Sequence, residues 1–259
     1  MFFQEISQLA HVSGITAFIS ILVAFLFAGI ILGKAIKEKS RILFEFALCI
    51  IFTISPWFPS GMGYLYFLTT GVHLPYEIYI IIGNLFLPLA IIFWLDIYLT
   101  TVSPSRRNLI LCIYIIFSII FWIYAFYFLY FSPNAPVEEM LGIIDDPTNP
   151  FDIDFKWFVL VYLATSIFTS CGTGFHFAAK SLKIEDKEIQ WKGRFLLIAF
   201  LCFGISAIAD SVIPMTEISL VIFRIVLILA NLFFYIGFIL PKWIKKIIFR
   251  EDKTQTDRI

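Results

Sequence analysis

The chain has 259 residues, of which 60% are hydrophobic, 19% aromatic and only 15% charged. A soluble domain usually carries about 25% charged residues, because its folded surface faces water. The composition therefore excludes an ordinary soluble domain and predicts an integral membrane protein. The 19 basic and 19 acidic residues cancel to a formal net charge of zero, so any information in the charges must come from their positions.

Seven apolar runs approach or exceed the length that crosses the hydrocarbon layer as a helix, about 20 residues. They are continuously apolar, whereas the strands of a membrane barrel alternate, so we predict an all-α, polytopic bundle of seven transmembrane helices. The predicted spans are Leu9–Leu32, Ile42–Phe58, Tyr76–Thr100, Leu109–Phe131, Phe155–Ala179, Phe195–Ile213 and Ile218–Leu240. The stretch Pro59–Leu74 contains Pro-Ser-Gly-Met-Gly and is predicted to be an outer loop with an interfacial or re-entrant turn.

The positions of the lysines and arginines predict the orientation of the bundle. Of the 19 basic residues, all except Lys156 and Arg224 lie in the first, third and fifth connections or in the tail after Pro241. Basic connections face the cytoplasm, which places the N-terminus outside and the C-terminus inside the cell membrane. We therefore predict a transmembrane domain over residues 1–241 and a short, basic, amphipathic cytoplasmic tail over residues 242–259.

Two connections have a character of their own. The outer loop over residues 132–154 is acidic, with Glu138, Glu139, Asp145, Asp146, Asp152 and Asp154; its spacing matches no calcium loop, and a solvated acidic loop explains it. The tail begins Lys-Trp-Ile-Lys-Lys-Ile-Ile-Phe-Arg after Pro241. Mixed aromatic and basic residues of this kind predict a segment that lies at the inner interface and favours anionic lipid.

Charged side chains at membrane depth are costly, about 2.5–3.5 kcal/mol each on insertion scales, so each one is a candidate for function. Asp210 and Arg224 lie at similar depth near the outer ends of two consecutive spans and are predicted to pair. Asn231 lies seven residues after Arg224 on the same face of the seventh span, and Asn84 in the third span is a further candidate. Two interpretations stay open: an outward pocket with Arg224 free to bind an anionic group, or a salt bridge that only fixes helix packing, which the sequence favours.

A second group of ionisable residues lies near the cytoplasmic ends of the second, third and fifth spans. It consists of Glu45, Asp96 and His176. A carboxylate and an imidazole at this depth are suited to proton relay or pH sensing. The simpler interpretation is that these side chains reach the water at the interface.

Several function classes are excluded by residue type. No span carries a lysine at mid-depth for a retinal Schiff base, and the three histidines are too scattered to form a zinc site. The four cysteines show no metal-binding or disulfide spacing. The basic residues are explained by topology, which argues against nucleic-acid binding. We therefore expect no enzyme activity, no cofactor and no metal.

Three segments carry a resemblance. They are Gly193-Arg-Phe-Leu-Leu-Ile-Ala-Phe, Ile205-Ser-Ala-Ile-Ala-Asp210 and Tyr235-Ile-Gly-Phe-Ile-Leu-Pro-Lys-Trp243. Over about residues 190–245 the chain resembles uncharacterised archaeal multi-pass proteins, and it is similar to the seven-helix sensory modules of archaeal and bacterial histidine kinases. In those kinases the helices pass a signal to a cytoplasmic transmitter. Here only the short tail follows Pro241, so we expect no output domain in the same chain.

Two functions follow as hypotheses. The first is a sensor or receptor-type module with an outward polar pocket at Asp210, Arg224, Asn231 and Asn84, whose output passes to a cytoplasmic partner protein. The second is a small-solute or proton-coupled transporter, which also uses the inner residues. Small residues on the first span, Ala24-xxx-Ala28 and Gly29-xxx-Gly33, permit close approach of a neighbouring helix or of a second copy in a homodimer.

Overall fold

The computed structural model describes residues 6–132, 137–144, 146–213 and 216–249. Most of this part of the chain is helical. It contains seven helical spans that are long and apolar enough to cross a membrane, which confirms the predicted number. The helices are α1 (Gln8–Glu38), α2 (Arg41–Thr53), α3 (Phe58–Thr70), α4 (Tyr76–Asn84), α5 (Leu87–Val102), α6 (Arg107–Tyr130), α7 (Val137–Leu141), α8 (Trp157–Ser181), α9 (Lys187–Val212), α10 (Glu217–Ile239) and α11 (Lys242–Ile248). Short 3-10 turns cover Ser55–Trp57 and Pro104–Arg106, and two strands, β1 (Gly142–Ile143) and β2 (Asp154–Phe155), form one antiparallel pair.

Six of the seven spans form a ring, and one lies outside it. The helix contacts run from α1 to α2, from α2 to α5, and then through α8, α9 and α10 back to α1. The α6 helix packs on α5 and α8 from outside, and only Ser118, Phe121 and Ala125 of its residues are buried. Its other faces carry exposed isoleucines such as Ile116, Ile120 and Ile123, as expected of a helix that faces lipid.

The expectation of an outer loop over Pro59–Leu74 was wrong. Residues Phe58–Thr70 form α3, which continues the second span after the 3-10 turn at Ser55–Trp57. Pro59 lies in the first turn of α3, where its missing N–H costs nothing. A Cβ on Gly61 would lie 2.9 Å from the Phe18 backbone nitrogen of α1, so this glycine permits close helix packing rather than a turn.

The third span is broken in the middle. The α4 helix ends at Asn84 and α5 begins at Leu87, with Pro88 in its first turn. The break frees backbone groups that lipid cannot satisfy. Trp122 of α6 donates its indole N–H to the Leu85 carbonyl at 3.1 Å, which compensates for part of this loss.

The small residues of α1 divide into two sets. Ala24 and Ala28 are buried inside the bundle. A Cβ built on Gly29 or Gly33 would meet no atom of the described residues within 4 Å. The first pair therefore packs within the chain, whereas the glycine pair faces away from it.

The ends of the bundle differ in charge, and we name them the acidic end and the basic end. The acidic end is closed by residues 137–144 and 146–156, which we call the acidic cap. Three tyrosines of the helices donate hydrogen bonds to backbone carbonyls of this cap. Tyr76 Oη donates to Gly142 at 2.7 Å, Tyr79 Oη to Phe151 at 3.0 Å, and Tyr124 Oη to Met140 at 3.0 Å. Asp145 lies outside the described residues, as do residues 250–259 of the predicted tail.

Candidate functional site

A cavity of about 430 Å³ lies under the acidic cap. Its walls come from α1, the second span, α4, α5, α8, α9, α10 and the cap itself. The charged and hydrogen-bonding side chains that line it include Trp57, Tyr79, Asn149, Asp152, Asp210 and Arg224. The volume lies within the range of cavities that bind small molecules.

Asp210 and Arg224 form the predicted ion pair. Arg224 Nη2 lies 3.3 Å from Asp210 Oδ1, and Nη1 lies 3.4 Å from Oδ2. The side chain of Arg224 is 7% exposed and that of Asp210 is 28% exposed, so the carboxylate opens into the cavity while the guanidinium is enclosed. Arg224 Nε has no hydrogen-bond partner among the described residues.

Trp57 completes this pair, and no pattern in the sequence indicated it. Its indole N–H donates to Asp210 Oδ2 at 2.8 Å, and the guanidinium carbon of Arg224 lies 5.5 Å from the centre of its ring. A cation at this distance from an indole face is attracted by the ring quadrupole. Trp57 lies in the 3-10 turn that joins α2 to α3, within the predicted second span. Its contact with Asp210 and Arg224 depends on how this span packs against α9 and α10, which the sequence does not show.

Asn231 and Asn84 do not join the ion pair. Asn231 donates its side-chain N–H to the Leu227 carbonyl at 3.0 Å. Asn84 donates its side-chain N–H to the Ile80 carbonyl at 3.0 Å within α4, and its Oδ1 has no partner in the described part of the chain. Asn84 lines neither this cavity nor the smaller one described below. The expectation that Asn84 joins Arg224 is therefore wrong, because sequence depth along a helix does not determine which way the helix is turned.

The acidic loop is more than a solvated loop. Asn149 is 3% exposed and lines the cavity, and its Oδ1 accepts no hydrogen bond from any described residue. Asp146 and Asp152 line the same cavity. Ser60 Oγ donates to the Phe151 carbonyl at 2.7 Å, which holds this part of the cap against α3.

The two cap carboxyls differ in their electrostatics. Burial raises the pKa of the Asp152 carboxyl, the negative charge of Asp210 raises it further, and the positive charge of Arg224 lowers it. Hydrogen bonds from the Thr148 hydroxyl and backbone N–H hold the pKa of Asp146 below its usual value. Neither Asp146 nor Asp152 forms a salt bridge with any described residue, so the cavity contains two carboxylates without a cationic partner in direct contact.

A second, smaller cavity adjoins the first. Its volume is about 60 Å³, and it shares Thr53, Trp57, Leu87, Ile167 and Phe203 with the cavity above it. Asn231 lies on its wall together with Ser166 and Ser170. Most of the remaining lining is apolar and includes the aromatic side chains of Phe46, Trp94, Phe200 and Phe234.

These aromatic side chains close the bundle below the cavities. The ring centres of Trp94 and Phe200 are 4.8 Å apart, those of Phe200 and Phe234 4.9 Å, and those of Phe46 and Phe234 5.9 Å. These are the distances of packed aromatic pairs. An apolar layer therefore separates the acidic-end cavity from the charged residues of the basic end.

At the basic end, the structure brings Glu45 and Asp96 together but not His176. Arg41 donates to Glu45 Oε1 and to Asp96 Oδ2, each at 2.5 Å, and Arg107 donates to Asp96 Oδ1 at 2.5 Å. This network ties α2, α5 and the start of α6 to one another. Arg41 was predicted as a topology signal only, and its side chain remains 68% exposed.

His176 has a separate environment. Its Nδ1 lies 2.6 Å from the hydroxyl oxygen of Tyr98, on the exposed surface of α8. It therefore forms no cluster with Glu45 and Asp96, although all three lie toward the same end. In the described part of the chain, no group of three or more His, Cys, Asp or Glu side chains is arranged to hold a metal ion.

The chain was compared with known proteins in three ways. No protein-family model, no curated protein and no solved structure matches it.

Proposed function

We propose that this multi-pass membrane protein is a receptor-type sensor that binds a small ligand in the acidic-end cavity. The observation that carries the proposal is that a cavity of about 430 Å³ reaches the ion pair of Asp210 and Arg224. This pair joins α9 to α10. A ligand that takes one partner of the pair changes the packing of these two helices, which is what a sensor requires.

The α9 helix offers a path to the other end. Asp210 lies near the end of α9 at the cavity, and Glu188 lies in its first turn, so almost the whole length of the helix separates them. Glu188 accepts a hydrogen bond from Lys245 of α11 at 2.5 Å. A shift or rotation of α9 therefore acts directly on α11.

The α11 helix is suited to be the output element. Ile244 is buried against the bundle, whereas Trp243 and Ile247 are exposed. Together with Lys242 and Lys246, these exposed side chains would lie at the inner interface and contact anionic lipid. The distribution of lysines and arginines supports an orientation with the acidic end outside and α11 in the cytoplasm, where a partner protein would receive the signal.

The resemblance to seven-helix sensory modules of histidine kinases agrees with this proposal. It concerns α9 and α10 above all, the two helices that carry the ion pair. We propose that the protein shares the sensing role of those modules and acts through a separate partner.

Labelling of α11 tests the proposal. The variant Lys246→Cys, with Cys112 and Cys202 replaced by alanine, is reconstituted in vesicles and labelled with a membrane-impermeant maleimide. Arg224→Gln, which removes the ion pair, is expected to change the labelling rate at position 246 several-fold. Arg106→Gln is the matched control, because Arg106 is an exposed arginine that lines neither cavity. Equal rates in all three proteins would refute coupling between the cavity and α11.

A second candidate function is a small-solute or proton-coupled transporter. The smaller cavity favours it, since that cavity adjoins the larger one and reaches Phe46, the neighbour of Glu45 in α2. Transport requires the aromatic layer of Trp94, Phe200 and Phe234 to open. Vesicles loaded with a pH-sensitive dye test the proton-coupled form: dissipation of a pH gradient faster than in protein-free vesicles supports a transporter, and equal dissipation supports the sensor.

A further inference from the structure

The charges on the acidic-end cavity are unbalanced. Its lining carries four carboxylates, from Asp146, Asp152, Asp154 and Asp210, and one guanidinium, from Arg224. Asp154 is paired with Lys156. Even with that pair set aside, the wall carries more negative than positive charge, so the cavity attracts cations.

The guanidinium of Arg224 is already paired through its terminal nitrogens, and only Nε has no partner among the described residues. Its two Nη atoms face Asp210, and its planar group lies over the Trp57 ring. An anionic ligand would have to take Arg224 from Asp210 and then lie next to Asp152, which has no salt-bridge partner among the described residues. Both steps are unfavourable, so the pair itself argues against an anion.

Most of the free hydrogen-bonding capacity of the described wall consists of acceptors, and Arg224 Nε is a buried donor without a partner among the described residues. Asn149 is almost completely buried, lines the cavity and has an Oδ1 without a partner in the described part of the chain. Asp152 and the open side of the Asp210 carboxylate add further acceptors. Buried acceptors without donors are costly, and a ligand with several N–H groups would satisfy them.

The rest of the lining is apolar and aromatic. Trp57, Tyr79, Phe155 and Phe203 contribute to the wall, and Trp57 and Phe203 continue into the smaller cavity below. Aromatic faces next to carboxylates are typical of sites that bind organic ammonium ions. Metal ions are a poor alternative, because no metal-binding cluster exists among the described residues.

We propose that the ligand of this cavity is a small organic ammonium ion with an apolar group, whose charged end lies between Asp152 and Asp210 and whose N–H groups donate to Asn149. The apolar group lies against Trp57 and Phe203, toward the smaller cavity. This inference rests on the proposed function in that it assigns a ligand class to the same cavity.

Three probes of nearly equal shape and different charge test the inference. Benzylamine is a cation at neutral pH, benzyl alcohol is neutral and benzoate is an anion. Their binding to the full chain in lipid nanodiscs is measured by calorimetry. We expect benzylamine to bind at least about tenfold more tightly than the other two, which corresponds to about 1.4 kcal/mol. This comparison needs no variant, so it does not depend on the folding of a mutant.

Variants then locate the site. Asp152→Asn keeps the shape of the side chain and removes its charge, and it is expected to weaken benzylamine binding by about tenfold while benzyl alcohol is unaffected. Glu139→Gln is the matched control, because Glu139 belongs to the same acidic cap but is exposed and does not line the cavity. Its affinity for benzylamine should equal that of the wild type.

Three results would overturn the inference. Tightest binding of benzoate, lost in Arg224→Gln, would show an anion site; the proposed function would survive, since the cavity would still bind a ligand. Equal weakening by Asp152→Asn and Glu139→Gln would show a general surface attraction. No binding of any probe would refute the ligand class, whereas the proposed function is judged separately by the labelling of α11.

Discussion

The ion pair of Asp210 and Arg224 should couple α9 to α10 energetically, and a double-mutant cycle measures that coupling. The variants are Asp210→Asn, Arg224→Gln and the combination of both. Each single change leaves one charge at membrane depth without its partner. The double change removes both charges and keeps side chains of similar shape, so it should be less harmful than the sum of its parts.

The structure sets the size of the effect. Removing one partner of a fully buried pair costs about 3–5 kcal/mol. Arg224 is enclosed, but 28% of the Asp210 side chain is exposed to the cavity, and Trp57 still donates to it at 2.8 Å. The cost should therefore be smaller, about 2–3 kcal/mol for Arg224→Gln, with a coupling energy of about 1–2 kcal/mol in the cycle.

The assay is unfolding in mixed micelles as the fraction of a denaturing detergent rises, which yields the free energy of unfolding of each variant. The more exposed pair of Lys34 and Glu38 is the control. Its charged atoms are 3.7 Å apart and its side chains are 33% and 50% exposed, so its coupling should stay below about 0.5 kcal/mol. If the two changes at Asp210 and Arg224 were additive within the same limit, the pair would not hold α9 to α10.

Three further predictions concern packing, pH and the indole. A Cβ on Gly14 would lie 2.2 Å from the Tyr64 ring, so Gly14→Ala should lower the free energy of unfolding by about 1–3 kcal/mol. In the same assay Gly29→Ala should not lower it, because no described atom lies within 4 Å of the added Cβ and alanine favours a helix over glycine. Burial raises the pKa of Asp152 in the folded state, so the folded state binds more protons than the unfolded state does. The wild type should therefore lose stability relative to Asp152→Asn as the pH rises from the ordinary Asp pKa of about 3.9 to the raised pKa. Parallel profiles of stability against pH for the two proteins would contradict this. Trp57→Phe removes a hydrogen bond to a carboxylate and should cost about 1.5–3 kcal/mol of unfolding free energy, and a cost no larger than that of a surface substitution would contradict its role in holding the ion pair.

The seven spans were predictable because lipid demands long apolar helices and the chain supplies them. The region Pro59–Leu74 was not, since prolines and glycines indicate a turn when they are considered alone. In the structure, Pro59 lies where a helix begins, and Gly61 lets α3 approach α1. The close approach at Gly61 depends on α1, which is distant in the sequence, so no local pattern reports it.

The candidate site was predictable only in part. Two opposite charges at membrane depth on consecutive helices have strong reason to pair, and Asp210 and Arg224 do so. Asn84 was misplaced because its depth says nothing about the direction in which α4 faces, and α4 ends at that residue. Asn149 and Asp152 were missed because their roles depend on how the acidic cap folds back over the bundle.

The basic end shows the same limit. The sequence identified Glu45 and Asp96 as costly charges that need an explanation, and the partners Arg41 and Arg107 had been assigned to topology alone. Each of these arginines both adds positive charge to the basic end and donates to a nearby carboxylate, since Arg41 begins α2 and Arg107 begins α6. His176 lies on another surface because α8 turns it toward Tyr98.

Hydrogen exchange of α11 measures whether the cavity and this helix are coupled through α9. The backbone amides of Lys242–Ile248 are followed in the wild type, in Arg224→Gln and in the control Arg106→Gln. We predict that exchange in this helix becomes at least about threefold faster in Arg224→Gln alone. Equal exchange in all three proteins, together with a lowered stability of the α9–α10 contact in Arg224→Gln, would show that the cavity and α11 are not coupled.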